Sequence, residues 1–286
     1  MSERLAGKAV VEAIREDLKL RINNLKNGGI EPTIFIIRVG EDESDKAYER
    51  GILKNCEMLG IKPVQCLLPE TTTTEELLEI ISRENENPKT HGIMMFRPLA
   101  KHLNEALICE SITPAKDIDV MTSANLVKVF EGKKDAFAPC TPEAVVAMLK
   151  HYVGDLTGKN IVVCGRSMVV GKPLSLLLLG ENATVTVCHS KTKDLTSVTK
   201  AADIVVCAIG RAKMFTKEYF TENSIVVDVG INDDGNGGIC GDVDYEAVFE
   251  NVKALSPATG GVGTITTTQL LSHVVVSAEK AEKIGG

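Results

Sequence analysis

One stretch of the sequence has the residue types and spacing of a phosphate cradle. Asn160-Ile161-Val162-Val163-Cys164 reads as a buried strand and runs into Gly165-Arg166-Ser167-Met168-Val169-Val170-Gly171-Lys172-Pro173, with glycines at both ends of the turn. A strand-turn-helix of this kind brings backbone N–H groups and a helix N-terminus up to a pyrophosphate. Ser167 stands at the middle position of the Gly-x-Gly-x-x-Gly pattern, so an ordinary structural turn is the alternative at this point. The following strand says more. A fold that holds NAD places Asp or Glu about 20 residues on, at the end of its second strand, to bind the ribose hydroxyls. Here that strand ends in Cys188-His189-Ser190-Lys191-Thr192, with no acid. Ser190, Lys191 and Arg166 put a hydroxyl and two cations where a ribose 2′-phosphate would lie, which predicts NADP rather than NAD. A solvated Ser-Lys loop is the competing reading. His189 either packs against the adenine or satisfies a backbone group.

Other chemistries have little support. The eight cysteines (56, 66, 109, 140, 164, 188, 207 and 240) form no Cys-x-x-Cys pair, and the five histidines lack ligand spacing, so no metal site is expected. Several cysteines sit inside apolar runs, as free thiols do in the core strands of proteins from a reducing cytosol. Thirty-two Lys and Arg against thirty-nine Asp and Glu leave a net charge of -7 with no basic block, which argues against a nucleic-acid partner. Met1-Ser2-Glu3-Arg4-Leu5 opens a charged amphipathic segment with neither a signal-peptide core nor a run long enough for a membrane. The reading is a soluble, cytoplasmic protein.

The elements that must position these residues follow from periodicity. At 286 residues the chain favours two domains, and 44% hydrophobic with 25% charged residues is a globular balance. Val10, Val11, Ile14, Leu18, Ile22 and Leu25 recur at helical spacing and stop at Gly28-Gly29. Thr33 to Val39 is a nearly continuous apolar run, as expected of a parallel strand buried on both faces. A helix over 44–59, a strand over 64–68, a helix opening on the capping box Thr73-x-x-Glu76 and a strand over 92–96 complete a βαβαβ layer. Thr141 as N-cap with Pro142 at the first helical position marks a boundary near residue 143. Beyond it, strands over 160–164, 184–188, 204–208 and 225–229 alternate with helices, the pattern of a doubly wound nucleotide fold. The last segment, 266–283, is amphipathic and suited to cross back to the first domain.

Several strings then become recognisable together: Lys116-Asp117-Ile118-Asp119, Pro139-Cys140-Thr141-Pro142, the turn from Gly165 to Pro173, Cys188 to Thr192, Val227-Asp228-Val229-Gly230-Ile231-Asn232, Gly241-Asp242-Val243 and Gly260-Gly261-Val262-Gly263. In this order and spacing the sequence resembles the methylenetetrahydrofolate dehydrogenase/methenyltetrahydrofolate cyclohydrolase family over nearly its whole length. The resemblance implies a two-domain α/β fold. Residues 1–143 would form a folate-binding catalytic domain with 266–286 packed back on it, and 144–265 a Rossmann-type NADP-binding domain. It further implies a folate cleft between the two, tetrahydrofolate derivatives as ligands and a homodimer. By the same resemblance Tyr48 is the folate-stacking residue, Asp119 holds the pterin, and the loop Gly260, Gly261, Val262, Gly263 closes over the substrate. Cofactor contacts fall on Gly165, Arg166, Ser167, Ser190 and Ile231.

The departures concern chemistry. One helical turn after its Tyr the family carries the Lys that drives the cyclohydrolase step, and that position is Ile52 here. The family's Gln, in Val-Gln-Leu-Pro-Leu, is Phe96 in Met95-Phe96-Arg97-Pro98-Leu99. Lys54 does not substitute directly, because two helical residues differ by about 200° around the axis. Thr259 and Thr264 replace prolines flanking the glycine loop and are expected to loosen it. The leading expectation is a dehydrogenase with weak or absent cyclohydrolase activity. The alternatives are a fully bifunctional enzyme using Lys54, Lys101 or Arg97, a non-catalytic folate- or NADP-binding relative, and a dehydrogenase for another small substrate.

Overall fold

The computed structural model describes residues 2–133 and 135–285, the last three by backbone alone. Its elements run β1 (Glu3–Arg4), α1 (Gly7–Asn27), β2 (Thr33–Val39), α2 (Glu43–Leu59), β3 (Lys62–Leu68), α3 (Thr74–Glu86), β4 (Gly92–Met95), α4 (Glu105–Glu110) and α5 (Ser123–Phe130). They continue with α6 (Cys140–Tyr152), β5 (Asn160–Cys164), α7 (Gly171–Gly180), β6 (Thr184–Cys188), α8 (Leu195–Lys200), β7 (Ile204–Cys207), β8 (Ile225–Asp228), β9 (Asn232–Asp233), β10 (Ile239–Cys240), α9 (Tyr245–Val248), β11 (Ala254–Leu255) and α10 (Gly263–Gly285). The chain forms two compact units, Ala13–Ala138 with Thr267–Gly286, and Met1–Glu12 with Pro139–Thr266.

In the first unit a parallel sheet of order β3-β2-β4 has β2 at its centre. Ile34, Ile36 and Ile37 are fully buried there, which is why the run reads as continuously apolar rather than alternating. Thr73 and Glu76 form the expected capping box: the Thr73 hydroxyl accepts from Glu76 N–H at 3.2 Å and the Glu76 carboxylate from Thr73 N–H at 2.8 Å. The final helix is fastened to the segment before residue 119. Ser277 Oγ donates to Ala115 O at 2.8 Å, and His273 Nδ1 lies 2.7 Å from Ile118 O.

In the second unit the four expected strands form a six-stranded parallel sheet, order β1-β11-β8-β7-β5-β6, with two short strands that the sequence reading does not contain. β1 pairs with β11, so the start of the chain lies in this unit rather than with residues 13–138. Two residues carry no readable periodicity; only the partner strand makes them a strand. Helix α6 begins at Cys140, ahead of Thr141, with Pro139 at its cap and no side-chain cap bond. Pro142 still fits, because it lies in the first turn, where N–H groups have no intrahelical partner.

Candidate active site and cofactor cavity

The end of β5 packs too tightly for side chains. A Cβ on Gly165, whose φ is +135°, would lie 2.2 Å from Ala208 O, and one on Gly171 would lie 2.2 Å from Gly165 O. The glycines therefore let the β5–α7 turn cross against β7. Ser167 does the work of a cap: its Oγ accepts from Val170 N–H at 3.1 Å and Gly171 N–H at 3.4 Å, leaving the hydroxyl proton to donate outward. At the end of β6, His189 N–H donates to Thr192 Oγ1 at 2.9 Å and His189 Nδ1 accepts from Lys191 N–H at 3.1 Å. A neutral His189 so bonded carries its proton on Nε2.

These turns enclose a cavity of about 500 Å³ at the C-terminal ends of β5, β6 and β7, where the strand order reverses. Gly165, Arg166, Ser167 and Ser190 border it, Lys191 is not among its lining residues, and Arg211, which the sequence reading did not single out, is. No Asp or Glu is among the residues that line it. Its thiols are neutral: burial pushes Cys164 up to about 12 and raises Cys188. The walls thus present cations and dipoles to a ligand with phosphate groups.

Ile231 is not at this cavity. It is 64% exposed and stands beside the glycine loop, where a Cβ on Gly263 would be 3.7 Å from its Cδ1. The loop itself is tight. Gly260 has φ +81°, a Cβ on Gly261 would meet Pro257 O at 2.1 Å, and Gly7 N–H donates to Gly260 O at 2.8 Å. Thr264 does not loosen it: its hydroxyl donates to Gly261 O at 2.7 Å and its N–H to the same oxygen at 3.2 Å, bonds a proline could not donate.

In the other unit Tyr48 and Ile52 occupy one side of α2. Asp42 caps this helix by accepting from Ser44 and Asp45 N–H, and a buried pair, Arg38 Nε to Glu49 Oε2 at 2.9 Å, ties it to β2. Glu49, Ile52, Cys56 and Leu59 form its buried face; Ile52 is fully buried while Tyr48 is 42% exposed. Phe96 extends the β4 ladder through its N–H to Ile37 O at 3.1 Å and meets the Tyr48 ring edge-on, centroids 6.1 Å apart. Asp119 is half-buried on a turn whose neighbours are firmly held. The Asp117 carboxylate accepts from Met121 N–H, Thr122 N–H and hydroxyl, and Asn125 Nδ2, while Lys116 Nζ donates to three carbonyls at the end of α3. Asp117 and Lys116 are scaffold. A larger cavity in this unit, about 740 Å³ near the N-terminal end of the sheet, contains none of the expected residues, and several of its charges are internally paired, Lys62 with Glu31 for example.

A doubly wound parallel sheet with an acid-free phosphate turn defines a dinucleotide-binding domain, here joined to a second α/β unit that carries Tyr48 and Asp119. Residues 5–119 match the family model for the tetrahydrofolate dehydrogenase/cyclohydrolase catalytic domain, and 139–282 that for the NAD(P)-binding domain of the same family. The bifunctional protein FolD of Clostridium botulinum (strain 657 / Type Ba4) is 53% identical over 280 residues, covering 98% of this chain and 99% of its own. The FolD crystal structure from Campylobacter jejuni is 40% identical with a TM-score of 0.92, covering 98% of this chain and 99% of that one. The Trypanosoma brucei enzyme, complexed with NADP and inhibitor, is 28% identical with a TM-score of 0.88 and 99% coverage of both chains. The chain belongs to the tetrahydrofolate dehydrogenase/cyclohydrolase family.

Proposed function

We propose that the protein oxidises methylenetetrahydrofolate to methenyltetrahydrofolate with NADP⁺ in one-carbon metabolism, and hydrolyses the methenyl product weakly or not at all. The observation that carries the second part is the complete burial of Ile52 one turn after Tyr48, with the buried ring of Phe96 against Tyr48. Hydride transfer needs the donor carbon held in place, and orientation supplies most of the help. NADP⁺, when bound, supplies the hydride acceptor. Arg166 and Ser190 hold its 2′-phosphate, the Gly165 turn and Ser167 its diphosphate, and Ile231 borders it at the glycine loop. Tyr48 stacks on the folate, Asp119 holds the pterin, and Gly260 to Gly263 cover the substrate. No side chain has to accept the hydride. Hydrolysis is different: a water must be activated and a ring nitrogen protonated, and a positioned acid-base group contributes about 10²- to 10⁴-fold. Neither Ile52 nor Phe96 can exchange a proton.

In this reading the protein works as a homodimer in the cytoplasm. A fully bifunctional enzyme is the second reading, favoured by the name of the 53% identical relative. Spectrophotometry separates them: the full chain is given methylenetetrahydrofolate and NADP⁺, and the decay of the methenyl product is followed. Accumulation of the methenyl compound at its uncatalysed decay rate is expected. Fast decay establishes the bifunctional reading, and binding of both ligands without turnover leaves only a binding protein.

A further inference from the structure

The segment after β7 is held from behind. Three successive amides, Ile209, Gly210 and Arg211, donate to the Asp242 carboxylate at 2.6, 3.0 and 2.8 Å, and Asn232 Nδ2 joins them at 3.0 Å. Asp242 is fully buried, yet no cation neutralises it among the described residues; backbone N–H groups and one side-chain amide do. It is anchored in turn, because the Asp228 carboxylate accepts from the N–H groups of Gly230, Asp242 and Val243 at 2.9 to 3.0 Å. Both contacts require glycine. A Cβ on Gly230 would lie 2.3 Å from Asp242 Oδ1, and one on Gly241 would lie 1.8 Å from Asp228 Oδ2.

With its amides turned onto Asp242, the segment presents Ile209 and Arg211 to the cofactor cavity. The sheet order β7-β5-β6 separates two margins of that cavity. Ser190 follows β6 and Arg211 follows β7 on either side of β5, whose turn carries Arg166, and strands two apart in a sheet lie roughly 10 Å from one another. The lining also has an apolar part, Leu195, Ile209, Met214 and the rings of Phe215 and Tyr219, whose centroids are 5.2 Å apart. An apolar floor suits the base of the cofactor rather than a phosphate. Guanidinium is planar, weakly hydrated and stacks on aromatic faces, which ammonium does not.

Resting on the NADP reading of this cavity, we infer that Arg211 lies over the purine face of the cofactor, and that Asp242 is the positioning residue that holds it there. Arg211 is then a base-reading contact, separate from the phosphate reading of Arg166.

Calorimetric titration of the full chain with NADP⁺, NAD⁺ and adenosine 2′,5′-bisphosphate tests this, because each ligand contains the base but only some contain each phosphate group. Arg211→Ala is expected to weaken all three by the same factor, about 3- to 30-fold for a stacked cation. Arg211→Lys is expected to recover little. A loss that spares NAD⁺ would assign Arg211 to the 2′-phosphate, and one that spares the bisphosphate would assign it to the diphosphate. Either result overturns the inference, as does an unchanged affinity or full recovery by Lys. Wild-type protein that binds none of the three would sink the cofactor reading instead. For Asp242 the readout is a double-mutant cycle: Asp242→Asn weakens binding in the wild-type background and adds nothing in Arg211→Ala. Further loss in that background shows a general structural role and removes Asp242 as a positioning residue.

Discussion

Ile52 and Phe96 are the positions on which the proposed loss of hydrolysis rests, and the structure sets both in apolar surroundings. Ile52 is fully buried, and Phe96 meets Tyr48 edge-on, an arrangement worth about 0.5–1.5 kcal/mol beyond area burial. Cyclohydrolase activity is expected only when Ile52→Lys and Phe96→Gln are made together. A lone Lys at this buried position has no assigned polar partner, and desolvation lowers its pKa or drives it outward. Methenyl decay measured for wild type, both single variants and the pair checks this; comparable activity in Ile52→Lys alone would refute the need for Gln. At the cofactor cavity, Arg166→Ala is expected to weaken NADP⁺ by about 10- to 100-fold, the worth of a charge-assisted hydrogen bond, and to leave NAD⁺ almost unchanged. Equal losses for both cofactors would show that Arg166 does not read the 2′-phosphate.

Between elements, the informative unit is the carboxylate pair that joins the ends of β7 and β8 to the segment after β10. Burial dominates at Asp228 and lifts its pKa from 3.8 to about 6, against the lowering effect of N–H bonds from Val243, Gly230 and Asp242. The folded-state value is above the unfolded one, so the stabilising contribution is complete below the unfolded value and is lost as pH rises through about 6. A shift of this size corresponds to about 3 kcal/mol. Urea unfolding of wild type and Asp228→Asn from pH 4 to 7 should therefore show their difference moving by about that amount against the wild type as pH rises. A flat difference would mean that Asp228 is not the titrating group.

At the scale of the molecule, β1 (Glu3–Arg4) completes an edge of a sheet whose other strands begin at residue 160. Leu5 follows it, 1% exposed, with its N–H on Leu255 O at 3.0 Å. Loss of one buried leucine costs about 2–5 kcal/mol, and 1 kcal/mol shifts Tm by about 2–4 °C in a domain of 150–250 residues. Deletion of residues 2–5 is accordingly expected to lower the melting temperature by roughly 10 °C, as calorimetry would register. An unchanged melting curve would mean that the edge strand is dispensable.

Strands β2, β5, β7 and β8 were legible as short apolar runs and β6 as a Thr-Val alternation, and the phosphate turn because close backbone approach demands glycine at positions such as Gly165 and Gly171. That Ile52 and Phe96 stand where the family carries Lys and Gln was legible only through the resemblance, since the matching strings on either side set the register. Other features belong to the tertiary structure. β1 and β11 are two residues each and exist through their pairing. Asp242 looks like any turn residue in Gly241-Asp242-Val243; that it holds Arg211 depends on bonds across 31 positions of sequence. Ile231, implied as a cofactor contact, stands by the glycine loop instead of the cavity because the turn after β8 carries it there. Residue type and local period specify which elements form and which chemistry is possible, whereas the partners of a buried carboxylate are decided only when distant segments pack around it.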